Sequence, residues 1–216
     1  MQRHRLFALI IEAIRELDNS RARIVGINGV DTSGKTQFAN ALAQYLAAQG
    51  RHVALIHGDD FHNPRAIRSQ GDPVRGYIAH AFNLAPIKDE LLAPARRGAV
   101  VDKTLTLLDL DRDTFSKTQR YVIRPDTIVL VEGVLLFRPP LDDAFDLRLF
   151  LHVPFEEVLR RVELRDVPRY GPGIVERYHQ RYIPAQQWYL ETYRPRQRAD
   201  FVIDNSDWQN PTPMKA

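Results

Sequence analysis

Hydrophobic residues recur along this chain with two periods, and the alternation between them sets the expected fold class. Leu6, Ile10, Ala13, Ile14 and Leu17 mark one face of an amphipathic helix within residues 1–20. Arg23-Ile24-Val25-Gly26-Ile27 then forms a short apolar, β-branched run, the composition of a parallel strand buried on both faces. Phe38, Leu42, Tyr45 and Leu46 return to helical spacing, and Gly50 stands where a C-cap belongs. The exchange then repeats. Strands are expected over 53–57, 126–133, 147–153 and 199–204. Helices are expected over 86–92, with Pro94 beyond its end, and along the Phe155, Val158, Leu159 and Val162 face. A third helical stretch covers 174–192, which Pro184 kinks or divides. Strands alternating with helices predict a parallel sheet covered on both faces.

Three segments break this rhythm. Residues 63–77 are rich in Pro, Gly and Arg without a clear period and predict a long functional loop. Residues 100–110 alternate Thr and Leu, as in a short hairpin or an edge strand. The polar, proline-containing residues 205–216 predict a disordered tail.

Between the first strand and its helix lies Gly29-Val30-Asp31-Thr32-Ser33-Gly34-Lys35-Thr36, which fits G-x-x-x-x-G-K-[ST] without a mismatch. The flanking strand and helix give this pattern physical content. Gly29 and Gly34 permit backbone conformations that a side chain obstructs, so successive N–H groups surround phosphate oxygens at the positive end of a helix. In such a loop Lys35 reaches the β- and γ-phosphates and the Thr36 hydroxyl ligates Mg²⁺. The expected nucleotide-binding set runs from Gly29 through Gln37. The second strand delivers Asp59 and Asp60 at its carboxyl end, the edge of an open α/β sheet where ligands bind. The strand at 126–133 delivers Glu132 in the position of a metal-holding acid. Downstream, Arg165-Asp166-Val167-Pro168-Arg169 joins basic residues to helix breakers, the composition of a hinged lid that offsets charge on a moving phosphoryl group. On the outer face of the preceding helix, Glu156–Arg160 and Glu157–Arg161 stand at i,i+4 spacing.

Composition narrows the class. A chain of 216 residues with 44% hydrophobic and 26% charged residues suits one soluble domain with a full core. The net charge is only +3 and the arginines are dispersed among acids, which argues against nucleic acid as the partner. There is no cysteine, so disulfides and thiolate metal sites are excluded. No long apolar span suggests a membrane. The apolar run at 6–11 is interrupted by Glu12, Arg15 and Glu16 with no small-residue cleavage site, and the expected location is the cytoplasm. His4, His52, His57, His80, His152 and His179 show no ligand spacing.

From Ile24 to Asp204 the order of these pieces resembles the uridine kinase and phosphoribulokinase branch of P-loop kinases. The resemblance implies a single domain over 1–216 with a three-layer α/β P-loop NTPase fold, a mainly parallel sheet and a small helical lid at 160–173. It also implies an ATP- and Mg²⁺-dependent kinase acting on a hydroxyl of a small molecule. Asp59, in Asp59-Asp60-Phe61-His62, matches the family acid that serves as general base on the acceptor and lies beside the metal. Glu132-Gly133 is similar to the strand-end Glu-Gly that shares the metal with Thr36. Arg165 and Arg169 match lid arginines that approach the phosphates. The chain departs from uridine kinases in the acceptor pocket. In place of their Asp-His-Pro and hairpin Tyr and His, the nearest stretches read Tyr77-Ile78-Ala79-His80 and Leu108-Asp109-Leu110-Asp111. Phe61, His62, Arg68, Arg75, Tyr77 and Asp109 are the candidate acceptor contacts. Uridine is the family default, with pantothenate, a sugar or another small metabolite as alternatives. A nucleotide-dependent switch protein is a second class, against which stands the lack of a guanine-reading Asn/Thr-Lys-x-Asp segment. Assembly as a homo-oligomer is left open.

Overall fold

The computed structural model describes residues 2–215; residues 1 and 216, the outermost positions of the expected N-terminal helix and tail, lie outside them. Helix α1 spans Gln2–Arg15 and is followed by strand β1 (Arg23–Gly29), helix α2 (Lys35–Ala47) and strand β2 (Val53–His57). Two short helices, α3 (Arg65–Arg68) and α4 (Pro73–His80), precede α5 (Ala93–Arg96). Strands β3 (Val101–Asp109), β4 (Thr114–Ile123), β5 (Ile128–Gly133) and β6 (Leu147–His152) come next. Helices α6 (Phe155–Arg165), α7 (Val167–Tyr170), α8 (Gly173–Arg177) and α9 (Ile183–Tyr193) lead to β7 (Phe201–Asp204) and β8 (Thr212–Lys215).

The main sheet has the order β2-β5-β1-β6-β7-β8, parallel throughout except for the antiparallel edge strand β8. Strands β1 and β5 are buried along their whole length, as their continuous apolar sequences require. On one face α1 and α2 pack against Val25, Ile27, Leu130 and Leu149, using Leu6, Ile10, Phe38 and Leu42. Phe7 meets Phe38 edge to face at 5.3 Å between ring centroids. On the other face Ile24, Val129 and Val131 meet Ile87, Leu91, Phe137 and Tyr189. This is the three-layer α/β P-loop fold. Among the described residues no helix is long and apolar enough to cross a membrane. Because Ile10 is wholly buried under the sheet, Ile10→Ala is expected to lower unfolding free energy by about 2–5 kcal/mol in urea titrations.

Several expectations are corrected. Residues 63–77 are not an unstructured loop. Pro64 opens α3, and the Asp72 carboxylate accepts from the N–H groups of Val74 and Arg75 to cap α4, with Pro73 in its first turn. The helix expected to stop at residue 92 continues to Arg96, through a wide π-type turn over Ile87–Leu92. A second wide turn, Tyr178–Tyr182, joins α8 to α9. Each ends two residues before a proline, Pro94 or Pro184. A proline lacks the N–H of a regular turn and crowds the carbonyl four residues back, and the extra residue in the wide turn absorbs both defects. The terminal segment is not disordered, since Thr212–Lys215 pairs with β7 as an edge strand. The alternating segment at 100–110 is the first arm of a hairpin, β3 with β4, that forms its own two-stranded sheet. On α6, Glu157 binds both Arg160 and Arg161, and Glu156 takes no part.

Candidate active site

The loop after β1 turns through two left-handed residues, Thr32 (φ 56°) and Gly34 (φ 85°). Position 34 needs glycine twice over, because a Cβ there would stand 2.7 Å from the Asn205 amide. Three other elements hold the loop. From α9, Gln186 accepts from the Asp31 N–H at 2.8 Å and donates to its carboxylate at 2.7 Å. From α6, Arg161 donates to the carbonyls of Thr32, Asn205 and Ser206. After β7, Asn205 donates to the Ser33 carbonyl. The Lys35 ammonium is buried and folded back onto the Val30 carbonyl at 2.8 Å, within the loop.

Strand register brings the acids to this loop. In the sheet Glu132 is the cross-strand partner of Ile27 on one side and of His57 on the other. Gly58 then lets the end of β2 close on β5, since a Cβ at that position would meet the Glu132 carbonyl at 2.9 Å. The Glu132 carboxylate is almost wholly buried. Its Oε1 accepts from the Thr36 hydroxyl at 3.0 Å and from His57 Nδ1 at 2.8 Å. The hydrogen bond to Glu132 raises the His57 pKa from its ordinary value. A hydroxyl beside a carboxylate is a hard-oxygen pair suited to Mg²⁺, which takes few protein ligands and fills its octahedron with phosphate and water. Accordingly, no three carboxylate or imidazole groups converge into a closed metal cage among the described residues.

Asp59 lies exposed in the single 3₁₀ turn Gly58–Phe61 at the end of β2. It falls within the electrostatic environment of Asp31, together with Lys35 and Arg165. Burial pushes the Asp31 carboxyl up to about 6; Lys35 opposes the shift and Asp59 adds to it. With a native value above the ordinary 3.8, Asp31 favours the folded state most below about pH 4, and the contribution is lost as pH rises through about 6. The stability of wild type relative to Asp31→Asn is therefore expected to fall between pH 4 and pH 6, by at most about 3 kcal/mol. Parallel urea titrations of the two proteins at several pH values check this, and a difference independent of pH contradicts it.

A cavity of about 210 Å³ opens directly beyond Asp60. Phe61 and His62 line it, together with Asn83, Glu90, Thr104 and Thr106. Arg68, Tyr77 and Asp109 do not. Arg68 pairs with Asp113 and bonds the Asn63 carbonyl. Tyr77 is buried edge to face against Tyr182 under the Arg181 guanidinium. Asp109 caps the hairpin turn by accepting from the N–H groups of Asp111 and Arg112. The helix that starts at residue 85 is preceded by Phe82-Asn83-Leu84, whereas residues 77–80 form the last turn of α4. Asn83 and Glu90 carry no signal in sequence because the facing wall of the cavity, Thr104 to Leu108 with Phe115, comes from a hairpin remote from them along the chain. The two arginines expected of a lid are both engaged by acids. Arg165 is held by Asp166 at 2.6 Å, and Arg169 reaches Asp111 in the hairpin turn at 3.1 Å.

No protein-family model matches the chain. It is 26% identical over 195 residues to a uridine kinase of Alkaliphilus metalliredigens, spanning 88% of this chain and 86% of that protein. A solved structure described as a possible uridine kinase from Bacillus stearothermophilus superposes with a TM-score of 0.76 at 26% identity. That match covers 94% of this chain and 99% of the other. Phosphoribulokinase from Rhodobacter spheroides shares the fold with a TM-score of 0.57 at 14% identity, over 86% and 70% of the two chains.

Proposed function

We propose that this ATP-dependent phosphotransferase, similar over most of its length to uridine kinases, phosphorylates a hydroxyl of an uncharged small molecule, with uridine the first candidate. The observation that carries this reading is the order of groups along the end of β2. His57 touches the buried Glu132, Asp59 shares the electrostatic environment of Lys35, and Asp60, Phe61 and His62 open the adjoining cavity.

The residues take the following parts. The loop from Gly29 to Gln37 surrounds the triphosphate with backbone N–H groups, and Lys35 leaves the Val30 carbonyl for the phosphates. Thr36 and Glu132 would hold Mg²⁺, which supplies neutralisation of charge on the β- and γ-phosphate oxygens. Asp59 orients the acceptor hydroxyl and takes its proton as the oxygen attacks the γ-phosphorus. The bond from that phosphorus to the β–γ bridging oxygen breaks, and ADP leaves with the electron pair. Arg165 and Arg169 close over the phosphates from the lid, the former oriented by Asp166.

The cavity lining favours an uncharged acceptor over an acid such as pantothenate. Among the described residues, Asp60 and Glu90 are the charged side chains that line it apart from the histidine, and neither lysine nor arginine is among the lining. Asn83, Thr104 and Thr106 supply hydrogen bonds while Leu105, Leu107 and Phe115 supply apolar surface. ADP formation measured against uridine, other nucleosides, free sugars and pantothenate tests the proposal. Turnover with an uncharged acceptor is expected; turnover with pantothenate alone, or with no member of the panel, overturns it.

A further inference from the structure

We propose that His57 is a positioning residue for the metal site, acting through the Glu132 carboxylate. The inference rests on the reading of Glu132 as a metal-holding acid. Its basis is geometric and independent of the resemblance, which assigns His57 nothing. Residues 57 and 132 are cross-strand partners at the carboxyl ends of β2 and β5, so the sheet itself sets their approach. The imidazole donates from Nδ1 to Glu132 Oε1 at 2.8 Å, and the same oxygen accepts from the Thr36 hydroxyl at 3.0 Å. No described protein group donates to Oε2.

Two fixed donors on one oxygen hold a carboxylate against rotation about its last bond. Without the imidazole, Glu132 keeps only the hydroxyl of Thr36, a group that itself must face the metal. The carboxylate would then have to be ordered by the ion on binding, and that ordering weakens affinity for the ion. His57 is only partly buried, its side chain 32% exposed, and it borders a cleft between β2 and β4 that Asp60 and Tyr121 also line. The charged groups facing it are Glu132, Asp60 and Lys117. Its replacement therefore perturbs the site more than the core.

The test compares His57→Ala, His57→Asn and His57→Gln with wild type. In His57→Ala the Mg²⁺ concentration for half-maximal turnover is expected to rise about tenfold, at the low end of what loss of a residue supporting a ligand costs. The value of kcat at saturating Mg²⁺ stays within about twofold. Calorimetry supplies the second readout. The affinity for ATP without Mg²⁺ is unchanged, while the gain in affinity on adding Mg²⁺ shrinks. Asparagine restores the behaviour, because its amide nitrogen stands where imidazole Nδ1 stands; glutamine, whose nitrogen lies one bond further out, does not. A Mg²⁺ requirement in His57→Ala within twofold of wild type overturns the proposal, as does a fall in saturating kcat shared equally by the alanine and asparagine variants. Glu132→Gln separates the two levels of inference. If it leaves the Mg²⁺ requirement unchanged, the metal reading of Glu132 fails and this proposal with it; if it raises the requirement while His57→Ala does not, only this proposal fails.

Discussion

Asp59→Asn is expected to lower kcat by about three orders of magnitude while leaving the affinity for ATP within a few-fold of wild type. Removal of a general base costs about 10²–10⁴ in rate, and asparagine keeps the size of the side chain while removing its capacity to accept a proton. Because Asp59 is exposed at the end of β2 and caps no helix, the change should leave the fold intact. Asp60 serves as the control. It forms an ion pair with Lys117 of the hairpin, so Asp60→Asn loosens one wall of the acceptor cavity and is expected to raise KM for the acceptor more than it lowers kcat. Steady-state kinetics on the two variants decide between them. Equal kcat for wild type and Asp59→Asn removes Asp59 from the chemistry.

Lys35→Ala carries the second large effect. The ammonium is almost fully buried and, among the described residues, hydrogen-bonded only to the Val30 carbonyl within its own loop. That bond is to a neutral oxygen, and an incoming phosphate offers the ammonium a stronger, charge-assisted contact. Loss of one such donor to a transition-state oxygen costs about 10²–10³ in rate, and kcat/KM for ATP is expected to fall by at least that factor. Stability without nucleotide should change little. Calorimetric titration with ATP and Mg²⁺, beside a thermal melt, separates the two effects, and retention of wild-type kcat/KM contradicts the assignment.

The sequence made legible what is local. Strand β1, the eight-residue loop and α2 follow from a glycine pattern between a β-branched run and a helical period. Asp59 and Glu132 stand out because each acid ends an apolar strand. Their mutual approach, however, depends on Gly58 and on the register of β2 with β5, and a strand read alone has no register. For the same reason the His57–Glu132 contact was invisible: metal-ligand spacing along the chain says nothing of partners across a sheet. The braces on the loop, Gln186 and Asn205, come from segments more than 150 residues away in sequence. Asp109 shows the opposite error. An acid beside an expected pocket drew attention, yet two residues on, the chain turns, and its carboxylate is consumed by the N–H groups of that turn. The ordering of residues 212–215 was equally hidden, because a polar segment with prolines gains its pairing from β7, not from its own propensity.

The most direct measurement follows the γ-phosphoryl group itself. With ATP carrying a radioactive γ-phosphate, Mg²⁺ and uridine or the best uncharged acceptor from the panel, the label should appear on the acceptor in wild type. It should be nearly absent from the acceptor in Asp59→Asn. Label recovered only as free inorganic phosphate, at a rate indifferent to the acceptor, would contradict phosphoryl transfer as the activity of this site.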